Sequence, residues 1–158
     1  MGRGLQPAVI ARIVKGFAGR PYWVIAPVQA HLDKVSGVWV PDNVLVTSWL
    51  PAHKVNPLAD VSVIHGSIDT VVTACLAGTP IVGVAMQPEQ EINVDCLVRK
   101  GFAIRIRKRR LTPEHLCAAI DRLLADEEAR RKARVFQKVV QAWDDLAIVR
   151  RFFAETSL

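Results

Sequence analysis

The chain has 158 residues, 51% of them hydrophobic and 23% charged, enough for one compact core and too short for two well-built ones. No segment approaches the roughly 20 apolar residues of a membrane span, and neither Met1-Gly2-Arg3-Gly4-Leu5 nor Ser157-Leu158 carries a signal or anchoring motif, so a cytoplasmic location is the expectation. The net charge of +6 suits an anionic ligand, while three cysteines and four histidines without paired spacing exclude a disulfide framework and predict no metal.

Leu5, Val9, Ile10, Ile13, Val14 and Phe17 fall on one helical face that ends at Gly19-Arg20-Pro21. Tyr22 to Ala26 reads as a short buried strand, followed by a polar, Gly- and Pro-punctuated stretch to Asp42-Asn43. Val44 to Thr47 is the next strand, and Val61 to Ile64 follows after Trp49-Leu50-Pro51. A helix from Ile68 to Ala77 stops at Gly78, and Pro80 to Ala85 supplies another buried strand. Gln87-Pro88-Glu89-Gln90 opens a helix running to about Lys100, and Phe102 to Ile106 alternates as an edge strand would. Thr112-Pro113 is a helix start with an N-cap hydroxyl and proline at the first helical position. A further helix spans Glu127 to Trp143, and Asp144-Asp145 caps a last one through Phe153. Short apolar strands alternating with helices of ten to fifteen residues predict an α/β fold, a parallel sheet with helices on both faces. Cys75, Cys96 and Cys117 each lie among apolar residues of a helical segment and read as small buried hydrophobes.

The segment from His65-Gly66-Ser67 to Cys75 carries the functional signal. A buried strand that ends in a small-residue turn and runs into a helix leaves unpaired N–H groups at the helix start, where the macrodipole favours an anion. Gly66 permits close approach of a ligand to the backbone, Ser67 and Thr70 add hydroxyls, and His65 adds an imidazole. A phosphate-bearing molecule, most economically a nucleotide derivative, is the expected ligand. The same junction also starts ordinary helices, with Ser67 or Asp69 acting only as an N-cap. In a parallel sheet ligands sit at the carboxyl ends of the strands, where Trp49, His65 and Glu89-Gln90 all fall. The basic runs Arg105 to Arg110 and Arg130 to Arg134 are ambiguous. The second follows Asp126, Glu127 and Glu128 as a solvated helix would have it, and the first has few aromatics near it to stack bases.

Trp49-x-Pro51, His65-Gly66-Ser67-x-x-Thr70, Gly78-x-Pro80 and Glu89-Gln90-x-x-Asn93, in that order, resemble the donor-binding signature of nucleotide-sugar-dependent glycosyltransferases of the GT-B fold. The group is that of the UDP-glucuronosyltransferases, plant glucosyltransferases and bacterial macrolide or antibiotic glycosyltransferases, and the similarity extends from about residue 5 to the final helix. The resemblance implies that residues 1–158 form a single Rossmann-like donor-binding domain, the C-terminal half of a GT-B enzyme, lacking its first strand and the N-terminal acceptor domain. It implies that Trp49 stacks on the base, that His65, Gly66, Ser67 and Thr70 hold the diphosphate, and that Glu89 and Gln90 contact sugar hydroxyls. Against these stand a half-buried core role for Trp49 and an N-cap role for Glu89. Two features of the plant enzymes, a glutamate at the position of Thr73 and a glutamine near His53, are absent. That favours the bacterial branch and leaves UDP and dTDP both open. Ala85 stands where a proline is usual.

The family transfers a hexose to an acceptor hydroxyl with inversion, using a general base that belongs to the absent half, so no catalytic residue is assigned in this chain. The donor is a UDP- or dTDP-sugar, with no cofactor and no metal. The partners implied are the nucleotide sugar and an acceptor-binding domain or partner chain, with no nucleic acid and no membrane span. A non-catalytic donor-binding subunit and a basic nucleic-acid-binding module are the two rival functions.

Overall fold

A computed structural model describes residues 5–143. The chain order is α1 (Pro7–Lys15), β1 (Val24–Ala26), α2 (Gln29–Leu32), β2 (Val44–Val46), α3 (Ala52–Val55), β3 (Ser62–Ile64), α4 (Ile68–Ala77), β4 (Ile81–Gly83), α5 (Pro88–Lys100), β5 (Ala103–Arg105), α6 (Pro113–Ala125) and α7 (Glu127–Gln141), with single 3-10 turns at Asn56–Leu58 and Lys108–Arg110. All pairings are parallel, as the alternation of strands and helices predicts. The strands form a two-stranded sheet, β1-β2, and a three-stranded sheet, β3-β4-β5, with no ladder between them among the described residues. The last helix expected, from Asp144 through Phe153, lies outside the described residues.

The helix boundaries follow from local chemistry. Thr112 accepts a hydrogen bond from the His115 N–H at 3.2 Å and Asp126 accepts one from the Ala129 N–H at 2.8 Å, so α6 and α7 both start on capping side chains. α4 ends where the Gln137 side chain of α7 donates to the Leu76 carbonyl at 2.7 Å, which fixes α7 across the end of α4. In α7, Glu128 pairs with Arg131 at 2.7 Å and with Lys132 at 3.6 Å, the solvated arrangement expected of this basic run. Arg131 beside Glu128 holds that carboxyl at about 2, well below its ordinary value.

A single apolar core joins both sheets. Ile81, Val82, Val94, Phe102 and Cys117 are among its fully buried members, and Phe102 packs on Phe136 of α7 with ring centroids 5.4 Å apart. α1 packs on α2 and on α6, and α6 packs on β4, so this helix layer covers one face of the three-stranded sheet. In the two-stranded sheet Val24, Ala26, Val44 and Val46 belong to the core. Their alternates do not: Ile25 and Leu45 lie opposite each other in register and are exposed, as is Trp23. The strand expected to be buried over Tyr22 to Ala26 is therefore half covered, and it starts two residues later. The link before it is tied down by Asn43, whose side chain donates to the Phe17 carbonyl at 2.9 Å and the Tyr22 carbonyl at 3.1 Å.

Cys75 and Cys117 are buried in α4 and α6, whereas Cys96 is exposed on α5 with Arg99 donating to its sulfur at 3.0 Å. The expectation of three buried thiols fails at Cys96, because only Val94 and Leu97 of its apolar neighbours turn to the core, while Ile92 and Val98 are exposed as Cys96 is. Burial pushes the Cys75 thiol up to about 11, which suppresses its thiolate at neutral pH. One thiol of the three should therefore react with a maleimide or disulfide reagent in the native chain, and all three in denaturant. Modification of Cys75 at the rate of Cys96 would contradict this packing.

Candidate functional site

β3 ends at Ile64, and the next three residues turn the chain into α4. His65 is exposed, Gly66 is buried with φ +92°, and Ser67 is the extended N-cap residue. The Ser67 side chain does not cap the helix. Its hydroxyl instead lies 3.3 Å from that of Thr70, which itself donates to the Ser67 carbonyl at 3.0 Å. Among the described residues no side chain caps the first turn of α4, so its amides and the dipole behind them are placed to meet an anion. The His65 ring has no hydrogen-bond partner among the described residues.

Gly66 has a reason internal to the fold that the sequence did not show. A Cβ there would lie 2.7 Å from Val94 Cγ2 and 2.9 Å from the Gln90 carbonyl oxygen. The bare side of the glycine faces α5 rather than a ligand. Gly83 at the end of β4 meets the same side chain, its Cβ falling 2.4 Å from Val94 Cγ1. Val94, fully buried, thus fills the notch between two glycines and lets α5 settle against both β4 and the turn before α4.

The first turn of α5 is set in the same way. Gln90 is only 7% exposed, and its side-chain oxygen accepts from the Met86 N–H at 2.8 Å, closing the loop between β4 and α5. Its amide group remains as the polar group left over. Glu89 is exposed and accepts from the Asn93 side chain at 2.6 Å, and the same Asn93 amide nitrogen donates to the Gly66 carbonyl at 3.0 Å. Asn93 was part of the motif spacing yet carried no role in the sequence reading. Its spacing from Glu89, one helical turn, was the available signal.

Trp49 follows β2 and stands just ahead of α3. It is 74% exposed, so the core reading of this ring does not hold. α3 packs against α4, which draws the Trp49 segment toward the helix whose tip carries Ser67 and Thr70. The structure thus sets the Gly66-Ser67 turn, with Thr70 bonded to Ser67, against the first turn of α5, tied by Asn93 to Gly66 and Glu89, while Gln90 bonds Met86. His65 and Trp49 are exposed and make no hydrogen bond to this cluster among the described residues. An apolar hollow of about 260 Å³ lined by Ile68, Val71, Asn93 and Leu97 adjoins the cluster. Among the described residues no group of three His, Cys, Asp or Glu side chains is arranged to hold a metal, and no helix is long and apolar enough to cross a membrane.

The basic run Arg105 to Arg110 is partly engaged within the fold. Arg105 pairs with Glu91 at 2.9 Å and Asp95 at 2.8 Å, both on α5. Arg110 offers its carbonyl to the His115 ring nitrogen at 2.7 Å.

Residues 23–143 match the family described as erythromycin biosynthesis protein CIII-like, C-terminal domain. A PGL/p-HBAD biosynthesis glycosyltransferase of Mycobacterium tuberculosis is 30% identical over 124 residues, which is 77% of this chain and 28% of the relative. The NDP-glycosyltransferase YjiC of Bacillus subtilis is 25% identical over 135 residues, covering 85% of this chain and 34% of the relative. Among solved structures, the kitacinnamycin glycotransferase superposes with a TM-score of 0.78 at 26% identity, over 90% of this chain and 37% of its own. CalG4, the calicheamicin glycosyltransferase, gives 0.78 at 26% identity, over 88% of this chain and 35% of its own. The chain thus spans between a quarter and two fifths of the length of these relatives. With parallel strands flanked by helices and a match over most of its length, the chain belongs to the erythromycin biosynthesis protein CIII-like C-terminal domain family and is a C-terminal domain of GT-B glycosyltransferase fold.

Proposed function

We propose that this domain binds the donor nucleotide sugar, a UDP- or dTDP-hexose, of an inverting glycosyltransferase that delivers the hexose to an acceptor hydroxyl. The observation that carries this reading is the uncapped tip of α4, presented with His65 on one side and joined through Asn93 to Glu89 on the other. The amides of the tip, with Ser67 and Thr70, would hold the pyrophosphate and take up the charge that grows on it as the glycosidic bond breaks. His65 would donate to a phosphate oxygen. Trp49 would cover the base with its exposed face, and Glu89 with the free amide of Gln90 would meet the sugar hydroxyls. The relative from Bacillus subtilis bears the name NDP-glycosyltransferase, which agrees with a nucleoside diphosphate donor. The base that deprotonates the acceptor would belong to an N-terminal acceptor-binding domain or a partner chain, so the domain alone is expected to bind donor and transfer little or no sugar.

Calorimetric titration with UDP, UDP-glucose and dTDP-glucose tests the site. His65→Ala should weaken binding about tenfold without a change in melting temperature, since the ring is exposed. Equal heats for the two proteins would refute the assignment. An oligonucleotide titration separates the basic-module reading, which predicts tight binding that falls steeply with salt. With Arg105, Arg131 and Lys132 paired within the fold, that binding would depend on Arg107 to Arg110.

A further inference from the structure

β5 is the outer strand of the three-stranded sheet, and its far edge is unpaired among the described residues. The Phe102 carbonyl accepts from the Ile81 N–H at 3.0 Å and the Ile106 N–H donates to the Gly83 carbonyl at 2.9 Å, with Ala103 in register with Ile81 and Arg105 with Gly83. In a parallel ladder alternate residues address opposite neighbours. Phe102, Ile104 and Ile106 therefore address β4. Ala103 and Arg105 turn their N–H and C=O groups outward, where they have no partner among the described residues.

A hollow of about 550 Å³ lies along this edge, between the second half of α5 and the end of α6. That is within the ordinary size of ligand sites, about 300–1,000 Å³. Gly101, ahead of β5, and Arg107, beyond it, both line the hollow, so it follows the strand over its whole length and suits an extended chain better than a compact ion. Its carboxylates are engaged. Asp95 pairs with Arg105 at 2.8 Å, and Asp126 accepts from the Ala129 N–H at the start of α7. Arg107 and Arg122 line the same hollow, are exposed, and have no side-chain hydrogen bond or ion pair among the described residues. The wall thus carries surplus positive charge beside a row of unmet main-chain groups.

We propose that the β5 edge is a docking groove for an extended acidic segment of a partner protein, which adds a strand to β5 and sets its carboxylates against Arg107 and Arg122. Main-chain pairing supplies the affinity of such a contact, and the charge-assisted bonds select the sequence. The same charges argue against a second copy as the occupant. Pairing two β5 edges would bring Arg105 and Arg107 of one copy against the same residues of the other, and like charges across a ladder are destabilising. Charged side chains on an open edge guard it against edge-to-edge association of this kind, which leaves a strand of opposite charge as the match. A lone phosphate or carboxylate would meet the arginines and leave the outward N–H and C=O groups of Ala103 and Arg105 unmet. β4 separates β5 from β3, whose end leads into the α4 tip, so the groove does not depend on the donor reading.

The test titrates the chain, by calorimetry, with the end-capped peptide Glu-Val-Thr-Val-Glu and two controls. Lys-Val-Thr-Val-Lys reverses the charge, and Glu-Pro-Thr-Pro-Glu keeps the charge but cannot complete a ladder. Only the first should bind, and it should slow amide hydrogen exchange at Arg105 about tenfold or more. Arg107→Ala and Arg122→Ala should each weaken that binding about tenfold with the melting temperature unchanged, since both side chains are exposed. Failure of the first peptide to bind at millimolar concentration overturns the proposal. Equal binding of the proline peptide does so too, since charge alone then suffices, as does displacement by an equal concentration of inorganic phosphate, which would make the hollow an anion site only. Equal affinity of the parent and both arginine variants, or exchange at Arg105 already slow in the free chain, also overturns it. UDP-glucose titration of the same variants keeps the two readings apart: a peptide that binds where no nucleotide does sinks the proposed function alone.

Discussion

Replacing Gly66 by alanine is expected to lower the stability of the domain by about 3 kcal/mol, from a left-handed backbone imposed on a residue with a side chain and from overpacking at a closed contact. The new methyl group would sit 2.7 Å from Val94 Cγ2 and 2.9 Å from a carbonyl oxygen of α5. Neither neighbour is the loose end of a flexible side chain. Urea unfolding measures the loss. The comparison with Gly83 separates the two causes, because its Cβ would strike the same valine at 2.4 Å while its φ lies outside the left-handed region. In double-mutant cycles with Val94→Ala, the Gly83→Ala penalty should be largely relieved and the Gly66→Ala penalty only in part. A Gly66→Ala chain within about 0.5 kcal/mol of the parent would show that α5 does not rest on this turn. Because the turn carries the α4 tip, Gly66→Ala chains that stay folded should also bind UDP-glucose more weakly.

Trp49→Ala should act in the opposite manner, leaving stability unchanged and reducing affinity for UDP or dTDP by roughly ten- to a hundredfold, the effect of removing an aromatic platform from a base. The ring is 74% exposed, so its removal opens no core cavity. Trp49→Phe keeps a flat face and should retain most of the binding. Indole fluorescence supplies a direct readout, as the quenching produced by nucleotide in the parent should be diminished in Trp49→Phe. Equal affinity of Trp49→Ala and the parent for both nucleotides would remove the indole from the site.

The sequence was most readable where a single residue type decides local conformation. Gly78, Pro88 and Thr112-Pro113 placed the end of α4 and the starts of α5 and α6 where the structure has them. The four-residue helices α2 and α3 escaped because one turn is too short to show a periodic face. Apolar runs announced β1 and β2 but not their exposure, since a strand of valine and isoleucine reads as buried on both faces whether or not anything lies against the second. At the site, the strand-turn-helix order and the residue types were legible. The directions of side chains were not: nothing in the order of residues showed that Gln90 turns inward to Met86, or that Gly66 yields space to Val94. Arg105 looked like part of a basic patch until α5 brought Glu91 and Asp95 alongside it.

Asn93 spends its side-chain nitrogen on both Gly66 and Glu89. An aspartate of the same shape has no hydrogens to give, so the charge-for-amide exchange that looks mildest on paper would undo both attachments at once. The spacing between the two helix tips is consequently set by the polypeptide itself before any ligand arrives. If the proposed donor binds here, it would meet two points already held at a set distance and would spend little of its binding energy on ordering its host.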